Sequence, residues 1–381
     1  MSTLLDQARE AIRSGDGRAA KAALDRASEG LPAAEMPWLL LARACRMAGD
    51  AEAEEAALQR QLGLNPRDLP ALLLMGDCRA RAGDDRGAAS WYQAALNQAA
   101  VTSPVPPGLT PLLDQARAFA ADAPRRFEAH LIESLERADV GKPPRVAQAI
   151  DLLLGHTQLY VQQPTSFYLP GLPQRQFYER DEFDWLPEFE GDAETMRDEL
   201  DAILADAQAF APYVESNPDR PLPNNPLRDD PSWGALYFWR YGERIAANAD
   251  RAPKTMTALA LAPQPVIEQR SPIALYSRLL PGTHIQPHHG LLNTRLICHL
   301  PLIAPEGCGL RVGNETREWR FGETLVFDDS FEHEAWNRGS RPRVVLLFEI
   351  WRPEIAAEER LALTALFEAI NDYAGAPADQ G

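Results

Sequence analysis

Residues 281–300 read PGTHIQPHHGLLNTRLICHL, and two later stretches belong with them: 327–334, FDDSFEHE, and 343–351, RVVLLFEIW. The first places His288 and His289 at the end of an apolar-polar run. The second places His333 45 residues after His288, and Arg343 opens the third ten residues later. Short runs rich in Val, Leu, Ile and aromatics, punctuated by Gly and Pro, read as strands. The same pattern recurs at 274–280, 294–302, 309–312 and 324–328. From about Gly234 onward the chain is therefore expected to form an antiparallel barrel or jelly roll. Residues 353–373, with Leu361, Leu363, Leu366, Phe367 and Ile370, read as an amphipathic helix packed on its outside.

Five of the seven histidines (284, 288, 289, 299 and 333) fall in one 50-residue stretch of this region. Not all can share one ion, because strand alternation sends His289 and His299 away from the face of His284 and His288, although Pro287 and Gly290 interrupt that alternation. Two imidazoles brought together from different strands are the skeleton of a non-haem iron(II) oxygenase site, where two histidines and usually one carboxylate take one face of the metal. The usual order is His-x-Asp/Glu followed by a distant His. Here the third slot is Gly290, so the carboxylate is missing. Zinc fits less well for want of a third strong ligand. His284, His289, Asp328 and Asp329 read as supporting residues, with the two aspartates as weak rivals for the metal. Arg343, at the head of an apolar strand, is costly to bury without an anion. A bidentate clamp on a carboxylate such as the far end of 2-oxoglutarate meets that cost; an ion pair with Glu349 or Glu332 is the alternative.

The first hundred residues repeat. Gly15-Asp16, Gly49-Asp50 and Gly83-Asp84 recur at a spacing of 34, and Pro32 and Pro66 keep the same period. That period is the tetratricopeptide length, two helices and a turn stacked on the next pair. The unit is either a docking surface for a peptide or a packing appendage. Residues 101–112, with four prolines, read as a hinge, followed by helices over 126–138 and 146–154. The expected organisation is helical repeats over 1–102, a helical linker over 103–163, the β domain with its terminal helix over 164–375 and a tail over 376–381.

A net charge of −17 argues against nucleic acid or an anionic membrane as partner. Lysine occurs only at 21, 142 and 254, against a total of 38 basic residues, a bias of GC-rich bacterial genomes. Cys45, Cys78, Cys298 and Cys308 show no metal spacing and read as reduced thiols of a cytoplasmic protein. The N-terminus lacks the apolar core of a signal peptide, and no run is apolar enough to span a membrane.

The stretches 281–300, 314–336 (NETREWRFGETLVFDDSFEHEAW), 343–354 (RVVLLFEIWRPE) and 239–259 (WRYGERIAANADRAPKTMTAL) resemble the aspartyl/asparaginyl β-hydroxylases, in order and over about 225–355. The resemblance implies a double-stranded β-helix using iron(II), 2-oxoglutarate and O2, with glycine at the carboxylate position. Residue by residue it implies His288 and His333 as iron ligands, Arg343 and Ser277 on the distal carboxylate of 2-oxoglutarate, and His299 beside its metal-binding end. Arg295, and Arg228 with it, would hold the carboxylate of an Asp/Asn-type substrate in a protein or peptide, with the repeats as a docking platform. Ile297 departs from the pattern, which has an arginine there. Alternatives are the same chemistry on a free amino acid, another small molecule or a lipid acyl chain, and a non-catalytic repeat-mediated binding protein with a vestigial barrel.

Overall fold

The computed structural model describes residues 2–102, 104–141, 143–216 and 225–374; the expected tail 376–381 lies outside them. The chain divides into two compact units, Met1–His156 and Thr157–Gly381.

The first unit is built of helical hairpins: α1 (Ser2–Arg13) with α2 (Gly17–Ser28), α3 (Trp38–Ala48) with α4 (Ala51–Leu64), and α5 (Leu69–Arg81) with α6 (Asp85–Val101). Each repeated Gly-Asp pair is the turn. Gly15, Gly49 and Gly83 take φ between +76° and +84°, a region that favours glycine. The aspartate after each then caps the next helix, accepting from the N–H three residues on, at 2.9 Å for Asp16, 3.1 Å for Asp50 and 2.8 Å for Asp84. Small residues such as Ala20, Ala44, Ala57 and Ala88 fill the core between hairpins. The expected hinge is the lead-in to a long helix: α7 (Thr110–Arg137) begins with Pro111 in its first turn, where the missing N–H costs nothing, and runs through Pro124. α8 (Pro144–Leu154) closes the unit.

The second unit contains two antiparallel sheets. The larger uses β1 (Phe177–Tyr178), β2 (Ala211–Pro212), β3 (Trp233–Arg240), β4 (Glu243–Arg244), β5 (Ala274–Leu279), β7 (Arg295–Ile303), β10 (Leu325–Phe327) and β12 (Arg343–Trp351) in the order β1-β10-β7-β12-β5-β3-β2, with β4 on β3. The smaller is β6 (His284–His288), β11 (His333–Asn337), β8 (Cys308–Val312) and β9 (Glu315–Glu318), in that order. Short helices α9 (Leu186–Gly191), α10 (Ala193–Leu204), α11 (Ala246–Ala249) and α12 (Pro253–Leu259) lie on the chain before or between strands, and α13 (Ala357–Ala374) ends it.

Strand β12 shows why its sequence does not alternate: both faces are covered. Val344, Leu346, Phe348 and Ile350 join Phe189, Met196, Leu200 and Leu259 in a core between the large sheet and the helices. Val345 and Leu347 turn the other way and meet Ile285, Leu310, Val312 and Ala335 of the small sheet. The face of β12 that carries Val345 and Leu347 looks into this inter-sheet layer. α13 packs Leu363 and Phe367 against Ile267, Leu292 and Trp351.

Candidate active site

His288 ends β6 and His333 begins β11, and the two are paired residues across that ladder. Their rings lie 4.1 Å apart between centroids, inclined at 50°. Each ring is fixed by its own backbone: Nδ1 of His288 lies 2.8 Å from the Gln286 carbonyl, and Nδ1 of His333 lies 3.0 Å from that of Phe331. A carbonyl only accepts, so both Nδ1 atoms carry the proton and both Nε2 atoms present a lone pair. Burial holds both imidazoles below their usual pKa, His333 well below it. The result is two neutral, oriented imidazoles.

Among the described residues no third His, Cys, Asp or Glu joins them at metal-binding distance. The reason lies at Gly290, where a Cβ would overlap the carboxylate of Asp329. Asp329 fills the room that a carboxylate at 290 needs, and its backbone carbonyl accepts from Gly290 N at 2.7 Å. It is 6% exposed, and burial pushes its carboxyl up to about 7, with Arg295 opposing that rise.

A second cluster lies beside the first. Arg343 at the start of β12 is 1% exposed, and its guanidinium donates to the Ser277 carbonyl at 3.3 Å. Neither acid expected as an alternative partner reaches it: Glu349 pairs with Arg295 and Glu332 with Arg311. Burial without an acid lowers its pKa to about 10, and its Nε has no hydrogen-bond partner. Ser277 on β5 is buried and its Oγ accepts from Trp233 Nε1 at 3.3 Å. His299 on β7 is buried and neutral, with Nδ1 unpartnered. Phe327 joins the clusters, 5.0 Å from the His299 ring and 5.9 Å from that of His333.

Arg295 and Ile297 share the His299 face of β7, and both are buried. Arg295 is held by a close ion pair with Glu349 and lies 3.5 Å from Asp329. Burial would lower its pKa, but these two acids raise it above the usual value. Arg228 lies outside the sheets in the loop before β3, half-buried, with its N–H on the Asn225 carbonyl at 3.2 Å. His284 binds Glu334 at 2.6 Å on the exposed side of the small sheet, away from His333.

Three contributors carry no local sequence signal. Arg352, fully buried, binds Asp328 at 2.6 Å, the carbonyls of Pro173 and Asn293, and the Tyr178 hydroxyl. Gln162 reaches the same Asp328 carboxylate at 2.7 Å. Asp328 in turn accepts from Ser330 N at 2.9 Å, so the loop carrying His333 is tied from several directions. The third is Trp319, whose ring lies under Arg343 at 4.5 Å.

Two facing antiparallel sheets with a pair of oriented histidines, one buried and one half-buried, and a buried, acid-free arginine define a β domain built around one polar centre. Residues 190–353 match the family described as Aspartyl/Asparaginyl beta-hydroxylase. The chain is 38% identical over 173 residues to the aspartyl/asparaginyl beta-hydroxylase of Homo sapiens, covering 45% of this chain and 21% of that protein. To the human aspartate beta-hydroxylase domain-containing protein 2 it is 34% identical over 213 residues, 54% of this chain and 55% of that one. To the ornithine lipid ester-linked acyl 2-hydroxylase of Rhizobium tropici it is 30% identical over 179 residues, 46% of this chain and 60% of that one. The chain thus spans about a fifth of the first relative and less than two thirds of the others.

Proposed function

We propose that the C-terminal unit is an iron(II)/2-oxoglutarate-dependent hydroxylase with a double-stranded β-helix core. The observation that carries this reading is the pairing of two neutral histidines, rings 4.1 Å apart and each held through Nδ1, with a buried guanidinium that no acid among the described residues neutralises. His288 and His333 would hold iron(II), with Gly290 leaving the third protein position open. Iron with O2 and 2-oxoglutarate supplies the oxidation that converts a substrate C–H to C–OH, with succinate and CO2 as the other products.

The protein's own contribution is binding, orientation and exclusion of water. Arg343 and the Ser277 hydroxyl receive the distal carboxylate of 2-oxoglutarate, which gives the buried cation its missing partner. His299, kept neutral by burial beside Arg343, accompanies the metal-binding end without adding a second charge. The apolar lining of Phe327, Ile297 and Val345 keeps bulk water from the reacting centre. Arg295, assisted by Arg228, orients a carboxylate-bearing substrate so that its β-carbon meets the metal; an Asp/Asn-containing protein or peptide, recruited by the helical unit, fits this role.

A second reading keeps the chemistry and changes the substrate to a small molecule or lipid acyl chain. It is favoured by the ion pairs that already occupy Arg295 and by the apolar Ile297 beside it, and one relative is a lipid hydroxylase by name. The four free cysteines and the arginine bias suit a bacterial cytoplasm, and no described helix is long and apolar enough to cross a membrane.

Anaerobic titration with iron(II) and 2-oxoglutarate tests the proposal. Wild type should develop a weak visible charge-transfer band, and His333→Ala should lose both the band and turnover. His289→Ala should keep measurable activity, since His289 is outside the ligand pair. Absence of the band in wild type, with neither iron nor 2-oxoglutarate bound, would return the chain to the binding-protein reading.

A further inference from the structure

Trp319 follows β9, is 4% exposed and belongs to the core between the sheets. Its ring sits against two of the residues assigned to 2-oxoglutarate: the Arg343 guanidinium carbon is 4.5 Å from its centroid, and the His299 ring is 5.9 Å away at 31°. A buried tryptophan ordinarily finds an acceptor for its indole N–H, because an unmet donor in apolar surroundings costs free energy. The Trp319 Nε1–H is buried and no acceptor reaches it, and the same is true of Arg343 Nε; His299 Nδ1 is likewise without a partner. Trp185 also buries an unpaired N–H, but it stands among the rings of Phe183, Phe189 and Phe348 with no cation over it. Around Trp319, unmet polar atoms from the end of β9, the start of β12 and the middle of β7 collect at one buried place.

We infer that Trp319 is a binding residue for the acid cosubstrate: its face carries the Arg343 guanidinium and its Nε1–H donates to the distal carboxylate. A guanidinium stacked on an indole is confined to one plane, so its N–H groups point outward along that plane instead of toward the ring. This holds the clamp ready in the absence of any protein acid. The indole N–H then supplies a charge-assisted hydrogen bond that neither Arg343 nor Ser277 provides. The inference rests on the 2-oxoglutarate reading above and adds a donor to it.

The test uses the full chain loaded anaerobically with iron(II) and titrated by calorimetry with two acids. 2-Oxoglutarate has both ends; oxalate has the metal-chelating end and no distal carboxylate. Trp319→Phe keeps a smaller aromatic ring beneath Arg343 and removes the indole N–H, so 2-oxoglutarate should bind roughly tenfold more weakly while oxalate and iron bind as in wild type. Trp319→Leu also removes the stacking face and should weaken 2-oxoglutarate further, again sparing oxalate. A purely structural tryptophan would change both acids together or neither. Wild-type affinity for 2-oxoglutarate in both variants, or a parallel loss of oxalate, overturns the role assigned to Trp319. Failure of the wild type itself to bind 2-oxoglutarate overturns the hydroxylase reading, and this inference with it.

Discussion

Arg343 is a charge held where water would otherwise solvate it, and it should behave as one. With its pKa lowered by burial from the usual arginine range to about 10, and about 1.4 kcal/mol per pKa unit, the unliganded fold forgoes stability on the order of a few kcal/mol. Arg343→Met should therefore raise the melting temperature of the ligand-free protein while abolishing 2-oxoglutarate binding; a lower melting temperature would mean that the guanidinium is a structural tie. Asp329 poses the acid counterpart. Burial pushes its carboxyl up to about 7, whereas an unfolded aspartate titrates near ~3.9. The folded state binds the proton more tightly, so this contribution to stability is full below the unfolded value and is lost as pH rises through about 7. Asp329→Asn should remove that slope: between about pH 5 and pH 8 the metal-free wild type should lose melting temperature relative to the variant. Parallel curves would place Asp329 in its ionised form throughout.

At the scale of elements, what was legible in the sequence was what is local. The Gly-Asp turns announce themselves because positive φ and N-capping are properties of two adjacent residues. Asp50→Ala should cost about 1 kcal/mol of stability, read by chemical denaturation of the helical unit; no change would mean that the observed 3.1 Å cap bond adds nothing net. Strand β12 was legible to its ends because its apolar run coincides with a central, doubly covered strand. The small sheet was not. β6 and β11 carry charged or polar residues on their outer positions, His284 and Glu334 among them, and β11 is only five residues long. His333 consequently falls outside the strand runs read from the sequence, although it opens a strand. The four prolines of 101–112 suggested a hinge, yet the last of them starts α7, because proline obstructs a helix only beyond its first turn.

For the whole molecule, the site separates in the same way. His288, His333 and Arg343 could be singled out in advance as candidates because imidazole pairs and buried arginines are chemically rare. Trp319, Gln162 and Arg352 could not, because their roles arise from contacts with residues far along the chain. The division after His156 falls close to the sequence-based end of the helical linker. A protein lacking residues 1–156 should bind iron(II) and 2-oxoglutarate with wild-type affinity by calorimetry, while using a large protein substrate less well. Loss of cosubstrate binding would show that the helical unit is needed for folding of the other.

The segment between Gln162 and Tyr178 grips both histidine-bearing loops. Gln163 N donates to the Ser330 carbonyl at 2.8 Å and Thr165 N to that of Gly290 at 3.0 Å, while Asp328 N donates to the Gln176 carbonyl at 3.0 Å. Gln163, Thr165 and Gln176 all lie outside 190–353, the stretch that the family match covers. The family match and mechanical completeness thus have different borders in this chain: a fragment trimmed to 190–353 would retain both imidazoles and Arg343 and lose the strap that ties their loops.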